Sequence, residues 1–249
     1  MTDQLKTALP PVLRRALDLL IDPPMNPAYD KGYLDLLEDL PTTEAAPPKN
    51  TGAIQAVWAS GLGSMLYDNA QVLARRLMTA WQQPTEWLNI PPGGVALDVG
   101  SGPGNVTASL ARAAGRDGLA LGVDISEPML ARAVSAEAGP DVGFLRADAQ
   151  RLPLRDETVD AVVSIAMLQL IPDPGAAVAE MARVLRPGGR MAVMVPTAGR
   201  ASALLRLLPD GGVHFFTEDE LGDTFEDLGL VSVRTKSLGT IQWVRGKRP

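Results

Sequence analysis

The stretch Val95-Ala-Leu-Asp-Val-Gly-Ser-Gly-Pro-Gly-Asn-Val-Thr107 places Asp98 at the end of an apolar run and glycines at 100, 102 and 104 before a helix-forming segment. Glycines let a backbone turn tightly and come into contact with a ligand, and the free N–H groups of the helix start favour a negative group. The spacing is D-x-G-x-G-x-G. A dinucleotide fingerprint needs a sixth-position glycine, which here is Asn105. A tight strand-to-helix connection without a ligand is the other reading of the glycines taken alone. Two further acids narrow the choice. Asp124 follows the apolar run Leu119–Val123 and has two acceptor oxygens for a pair of ribose hydroxyls. Asp148, beside Ala149 in Phe144-Leu-Arg-Ala-Asp-Ala, can accept from an exocyclic amine while the neighbouring N–H donates to a ring nitrogen. The single histidine, His214, is the one imidazole available as a general base; a solvated loop position is its other reading.

These residues require a frame that brings strand ends to one edge. Short apolar runs predict strands at Val95–Val99, Leu119–Val123, Val142–Arg146, Val159–Ser164 and Arg190–Val195, apolar enough to be buried on both faces. Helical patterns lie between them at Val106–Ala114, Ser126–Glu137 and Ala176–Leu185. The alternation predicts a doubly wound α/β sheet. In such sheets ligands sit at the carboxyl ends of the strands. Downstream, Thr217–Leu228 reads as a helix opened by a capping box of Thr217 and Glu220, and Val231–Ser237 with Thr240–Val244 as an edge hairpin. Residues 1–87 differ in character. Eight of the 21 prolines precede residue 50, and apolar residues at 13, 16, 17 and 20, and at 34, 36, 37 and 40, suit short amphipathic helical turns. The division is an N-terminal helical cap, 1–87, and a ligand-binding domain, 88–249.

Composition removes whole classes of function. With no cysteine and one histidine among 249 residues, disulfides, thiolate chemistry and multi-histidine metal sites are out, and no metal is expected. A net charge of −6 repels polyanions, so nucleic acid is not an expected partner. The N-terminus lacks the order of a secretory signal, and the longest uncharged run, 50–67, is broken by polar residues and glycines. No membrane span and a cytoplasmic location are the expectations.

In order and spacing, LDVGSGPG, GVDISEPML, ADAQRLP, VDAVVS and LRPGGRMAV resemble the class I S-adenosylmethionine-dependent methyltransferases, over about residues 88–246. The chain is most similar to their small-molecule branch, which acts on quinones and sterols. The resemblance implies a Rossmann-like sheet of seven strands with the last antiparallel. It implies S-adenosylmethionine as cofactor, S-adenosylhomocysteine as product and a small, apolar or aromatic methyl acceptor as partner. By that likeness Gly100, Ser101, Gly102 and Gly104 cradle the methionine moiety and Asp98 takes its ammonium directly or through water. Asp124 then holds the ribose, Ile125 flanks the adenine, Asp148 and Ala149 read its edge, and Ser164 and Ile165 line the pocket. Tyr67, in a Tyr-Asp pair, touches the cofactor carboxylate in this scheme. The LRPGG turn, 185–189, is structural. Where many relatives carry a histidine pair, this chain has Gln169 and Leu170. A nicotinamide-dependent oxidoreductase and a non-catalytic S-adenosylmethionine-binding module remain the alternatives.

Overall fold

The computed structural model describes residues 9–37, 86–197, 214, 216–239 and 241–249. Its centre is one eight-stranded sheet. In chain order the strands are β1 (Leu34–Asp35), β2 (Val95–Val99), β3 (Leu119–Asp124), β4 (Val142–Arg146), β5 (Val159–Ile165), β6 (Leu185–Pro196), β7 (Val231–Leu238) and β8 (Ile241–Lys247). The spatial order is β1-β4-β3-β2-β5-β6-β8-β7. Strands β1 to β6 pair in parallel, while β8 runs antiparallel between β6 and β7. The order reverses at β2, so the gap at the carboxyl ends of β2 and β5 is the switch point where open α/β sheets take ligands.

Helices α1 (Pro11–Leu17), α2 (Asn105–Ala114), α3 (Glu127–Glu137), α4 (Pro174–Val184) and α5 (Glu220–Asp227) accompany the strands. Because both faces are covered, β2 is buried at all five positions, as its uninterrupted apolar reading requires. Two apolar layers result. One gathers Val12, Leu13, Leu97, Leu121, Val178 and Phe225 among its members; the other gathers Tyr33, Ala96, Leu110, Leu130 and Phe144. Residues 9–37 take part in both, so this part of the N-terminal region is built into the sheet's edge.

The sheet has one strand more than the seven expected, and β1 is the addition. Four leucines in seven positions, 34–40, fit helical spacing, but Leu34 and Asp35 instead pair with Leu145 and Arg146 of β4. The open edge of β4 supplies main-chain partners that an isolated helical turn does not have. Leu37 lies just beyond this strand, and Leu40 falls outside the described residues. The helix expected at 217–228 starts at Glu220: Glu220 Oε2 accepts from the Thr217 N–H at 3.0 Å, but the reciprocal half of the capping box does not form, and Asp219 is the N-cap. The Leu185–Gly189 turn belongs to the start of β6, where the pairing of β5 jumps from Leu185 to Arg190. It lies at the amino edge, remote from the switch point. A Cβ on Gly189 would stand 2.9 Å from the Asp160 carbonyl oxygen, which explains the glycine by packing alone. The closing hairpin of β7 and β8 forms, with β8 running on to Lys247, beyond the expected end at Val244.

Candidate cofactor site

The loop after β2 lies against the end of β3. The Gly100 and Ser101 N–H groups both donate to the Val123 carbonyl, at 2.8 and 3.0 Å. The Gly102 N–H donates to Asp124 Oδ2 at 2.8 Å, and the Ser126 N–H to Oδ1 at 2.8 Å. Each oxygen of Asp124 keeps acceptor capacity beyond these bonds, enough for two hydroxyl donors. Burial works to raise the Asp124 carboxyl above its ordinary value, while the N–H groups of Ser126 and Gly102 oppose the rise.

Gly100, Gly102 and Gly104 have φ of 78, 50 and 86°, the left-handed region that glycine enters without strain. Their surroundings differ. A Cβ at Gly100 would stand 2.4 Å from Met167 Cγ, and one at Gly104 2.7 Å from Phe144 Cζ. Around a Cβ at Gly102 no atom of the described residues lies within 4 Å. Two of the glycines are therefore explained by packing; at Gly102 the bare backbone faces open space, as a ligand cradle would.

Asp98 lies beneath this loop, 2% exposed, and its Oδ2 accepts from Thr107 Oγ1 at 2.7 Å. Loss of water pushes its carboxyl up to about 7 against the lowering effect of the Thr107 hydroxyl, and the Asp124 charge adds to the rise. Ser164, fully buried, pairs with Val99 in register, and its hydroxyl has no partner among the described residues. The buried Ser101 hydroxyl has none either. Orphaned buried hydroxyls are costly unless something else satisfies them.

On the adenine side, Ile125 is 39% exposed although apolar, a surface suited to a flat ring. Asp148 stands beyond β4 and is already engaged by Gln150, whose backbone N–H and side-chain Nε2 donate to Oδ1 at 2.9 and 3.1 Å. Ala149 packs against the core beside it. At the end of β5, Ile165 is half-buried, and the next residue, Ala166, takes φ of 54°, a position normally reserved for glycine. Its carbonyl accepts from Gln169 Nε2 at 2.7 Å.

Asp98, the glycine loop, Asp124, Ile125, Asp148, Ala149, Ser164 and Ile165 thus share the carboxyl edge. His214 stands beside the segment that follows β5, with its ring engaged elsewhere. Its N–H donates to the Gln169 carbonyl at 2.9 Å, but its ring points to Glu220, with Nε2 2.6 Å from Oε1, and packs edge-on to Phe216. Burial works to raise the Glu220 carboxyl, yet the Thr217 N–H and His214 outweigh it and hold it below the usual range. Tyr67 lies outside the described residues. Thr107, Gln150 and Phe144 escaped the sequence reading. Thr107 alone left a local signal, a hydroxyl in the first helical turn after the glycines; the others act through spatial neighbours. Among the described residues no group of acids and histidine could hold a metal ion, and no helix is long and apolar enough to cross a membrane.

The residues present fit an adenosyl cofactor: an acceptor pair for a ribose, an exposed apolar platform beside it and, among the described residues, an unobstructed glycine and two unpartnered hydroxyls. Comparison with known proteins agrees. Residues 97–193 match the methyltransferase domain family. A demethylmenaquinone methyltransferase of Roseiflexus castenholzii is 38% identical over 124 residues, 49% of this chain and 52% of that protein. A ubiquinone/menaquinone biosynthesis C-methyltransferase of Teredinibacter turnerae is 36% identical over 130 residues, 49% of this chain and 51% of the relative. The chain thus spans about half the length of these curated relatives. Among solved structures, an S-adenosylmethionine-dependent methyltransferase of Thermotoga maritima, described as a possible histamine N-methyltransferase, superposes with a TM-score of 0.61 at 21% identity, over 78% of this chain and 99% of that one. That likeness speaks for the fold alone. In sheet order, glycine loop and the match over residues 97–193, the chain is thus similar to the class I S-adenosylmethionine-dependent methyltransferases.

Proposed function

We propose that this chain transfers the methyl group of S-adenosylmethionine to a small, apolar or aromatic acceptor of quinone type. The observation that carries the reading is the Gly102–Asp124 arrangement, a bare backbone facing open space and bonded to a carboxylate with acceptor capacity to spare. Bound there, S-adenosylmethionine would supply a methyl group already activated by its sulfonium. What remains for the protein is alignment and exclusion of water. Asp124 would orient the ribose and Ile125 the adenine. The loop from Gly100 to Gly104 would take the methionine end, and the Ser101 and Ser164 hydroxyls are free to bond nearby. Asp98, beneath the loop, would set a negative potential under the cationic end. The apolar preference at the acceptor rests on the rim after β5, where Met167 lies over the loop and Gln169 and Leu170 offer no titratable group. The quinone substrates in the names of the two curated relatives point the same way.

In this reading His214 is not the base. Its ring is occupied by Glu220 and 42% exposed, so the acceptor must be acidic enough by itself, as a hydroquinone is. The division into 1–87 and 88–249 belongs to the same proposal, amended in that residues 9–37 complete the sheet edge. The test is transfer from a methyl-labelled donor to a panel of naphthohydroquinones and other phenols. Transfer that falls in Asp124→Ala, with cofactor affinity weakened by about 1.5–3 kcal/mol, supports the proposal. Cofactor binding with no transfer to any of them refutes the acceptor class, and transfer of hydride from a nicotinamide instead refutes the reaction.

A further inference from the structure

The turn that carries Asp124 and Ile125 is braced from outside the methyltransferase core. Arg146, the last residue of β4, stands opposite Asp35 of the added strand, with Nη1 2.9 Å from Asp35 Oδ2. The same nitrogen is 3.1 Å from Glu127 Oε1 in the first turn of α3, and Arg146 Nε donates to the Ile125 carbonyl at 3.3 Å. Lys31 closes the group from the segment before β1, its Nζ 2.9 Å from Glu127 Oε2. Asp35 is only 4% exposed and its Oδ1 accepts from the Leu37 N–H at 3.2 Å. The main chain repeats the link, the Leu36 N–H donating to the Arg146 carbonyl at 3.0 Å.

One guanidinium therefore ties three pieces: the added strand, the carbonyl of Ile125 and the start of α3. The task suits arginine. Its planar fork has five donors in fixed directions and can serve several acceptors together, whereas a lysine is a single point of charge. A nearly buried carboxylate such as Asp35 demands a charged partner, so the arginine is fixed in turn.

We infer that Arg146 and Asp35 form a positioning pair that sets the affinity for the adenosine half of the cofactor by holding the Asp124–Glu127 turn in its binding shape. The inference rests on the reading of Asp124 as the ribose acceptor and Ile125 as the adenine platform. The pair touches no reacting atom; it acts through the turn. The strand that supplies Asp35 thereby gains a role in binding that its two residues of pairing do not suggest.

The experiment is calorimetric titration of the full chain with S-adenosylhomocysteine and, separately, with adenosine. The variants are Arg146→Lys, which keeps the charge and loses the fork, and the double variant Asp35→Asn with Arg146→Met, which leaves no buried charge unpaired. Glu127→Gln, at a 42% exposed side chain, removes one arm where folding is not at stake. Each is melted without ligand to establish that it folds. The expected result is a rise in Kd of about 2- to 30-fold in the double variant, smaller in Arg146→Lys and Glu127→Gln, and of equal size for adenosine and for S-adenosylhomocysteine. Added salt should weaken wild-type binding more than that of the double variant. Unchanged affinity in folded variants overturns the inference and leaves the cofactor reading standing. A loss confined to S-adenosylhomocysteine overturns it as well, because the effect would then lie at the methionine end. A wild-type chain that binds neither ligand overturns the cofactor reading and the inference together.

Discussion

Asp98 offers a perturbation whose size follows from its surroundings. Its carboxyl is held at about 7 in place of 3.8, chiefly by burial. The charged form is thus disfavoured by about 4 kcal/mol relative to water. In the folded protein the group binds its proton more tightly than in the unfolded chain. Its contribution to stability is therefore lost as pH rises from 3.8 to about 7 and is constant outside that window. Cofactor binding runs in the opposite direction. The negative potential under the glycine loop exists only when Asp98 is ionised, about nine-tenths at pH 8 and one-tenth at pH 6 for a carboxyl near 7. If binding draws on the ionised form, the apparent Kd for S-adenosylmethionine rises about tenfold between pH 8 and pH 6. The assay is calorimetric titration at half-unit pH steps, wild type against Asp98→Asn. The ligand's own amine titrates identically in both series, so the difference between the two curves isolates Asp98. The expected outcome is a flatter profile in Asp98→Asn and a stabilisation of that variant above pH 7. Parallel profiles would refute the reasoning and leave Asp98 as a brace for Thr107 alone.

Three other outcomes are expected. Gly102→Val should abolish cofactor binding in a chain that still folds, because the side chain enters the space facing the loop; strain at φ of 50° costs about 1–3 kcal/mol in melting. Binding at wild-type affinity would remove the loop from the site. His214→Ala should leave cofactor affinity and transfer unchanged while lowering stability slightly through the lost Glu220 contact, and a loss of transfer with binding intact would restore it as the base. Ala166→Gly should stabilise the fold by up to about 1 kcal/mol, since glycine relieves the strained φ of 54°; a lower melting temperature would show that the methyl group packs too well to lose.

The legible parts of the fold were those in which local pattern and tertiary demand coincide. Val95–Val99 and Val142–Arg146 emerge with the predicted bounds because strands buried on both faces are apolar throughout. The placement of Asp98 and Asp124 at strand ends was legible for a related reason: each closes an apolar run. What stayed hidden depends on residues remote in the chain. Arg146 and Asp35 are separated by 111 positions, and nothing in either neighbourhood announces the other. A two-residue strand carries no periodicity at all, so β1 could be recognised only beside the edge it covers. Gln150 lies two residues from Asp148, yet its occupation of that carboxylate depends on a side-chain rotamer that spacing does not specify. The late start of α5 has a simpler cause. Glu220 reaches back to the Thr217 N–H and closes a turn that the sequence pattern does not distinguish from the first turn of a helix.

A crystal structure of the chain with S-adenosylhomocysteine tests the central claim most directly. The ribose hydroxyls should lie within hydrogen-bonding distance of the Asp124 carboxylate, the adenine against Ile125, and the amino-acid end along residues 100–104. A ligand seated elsewhere, or crystals that stay empty at saturating concentration, would contradict it.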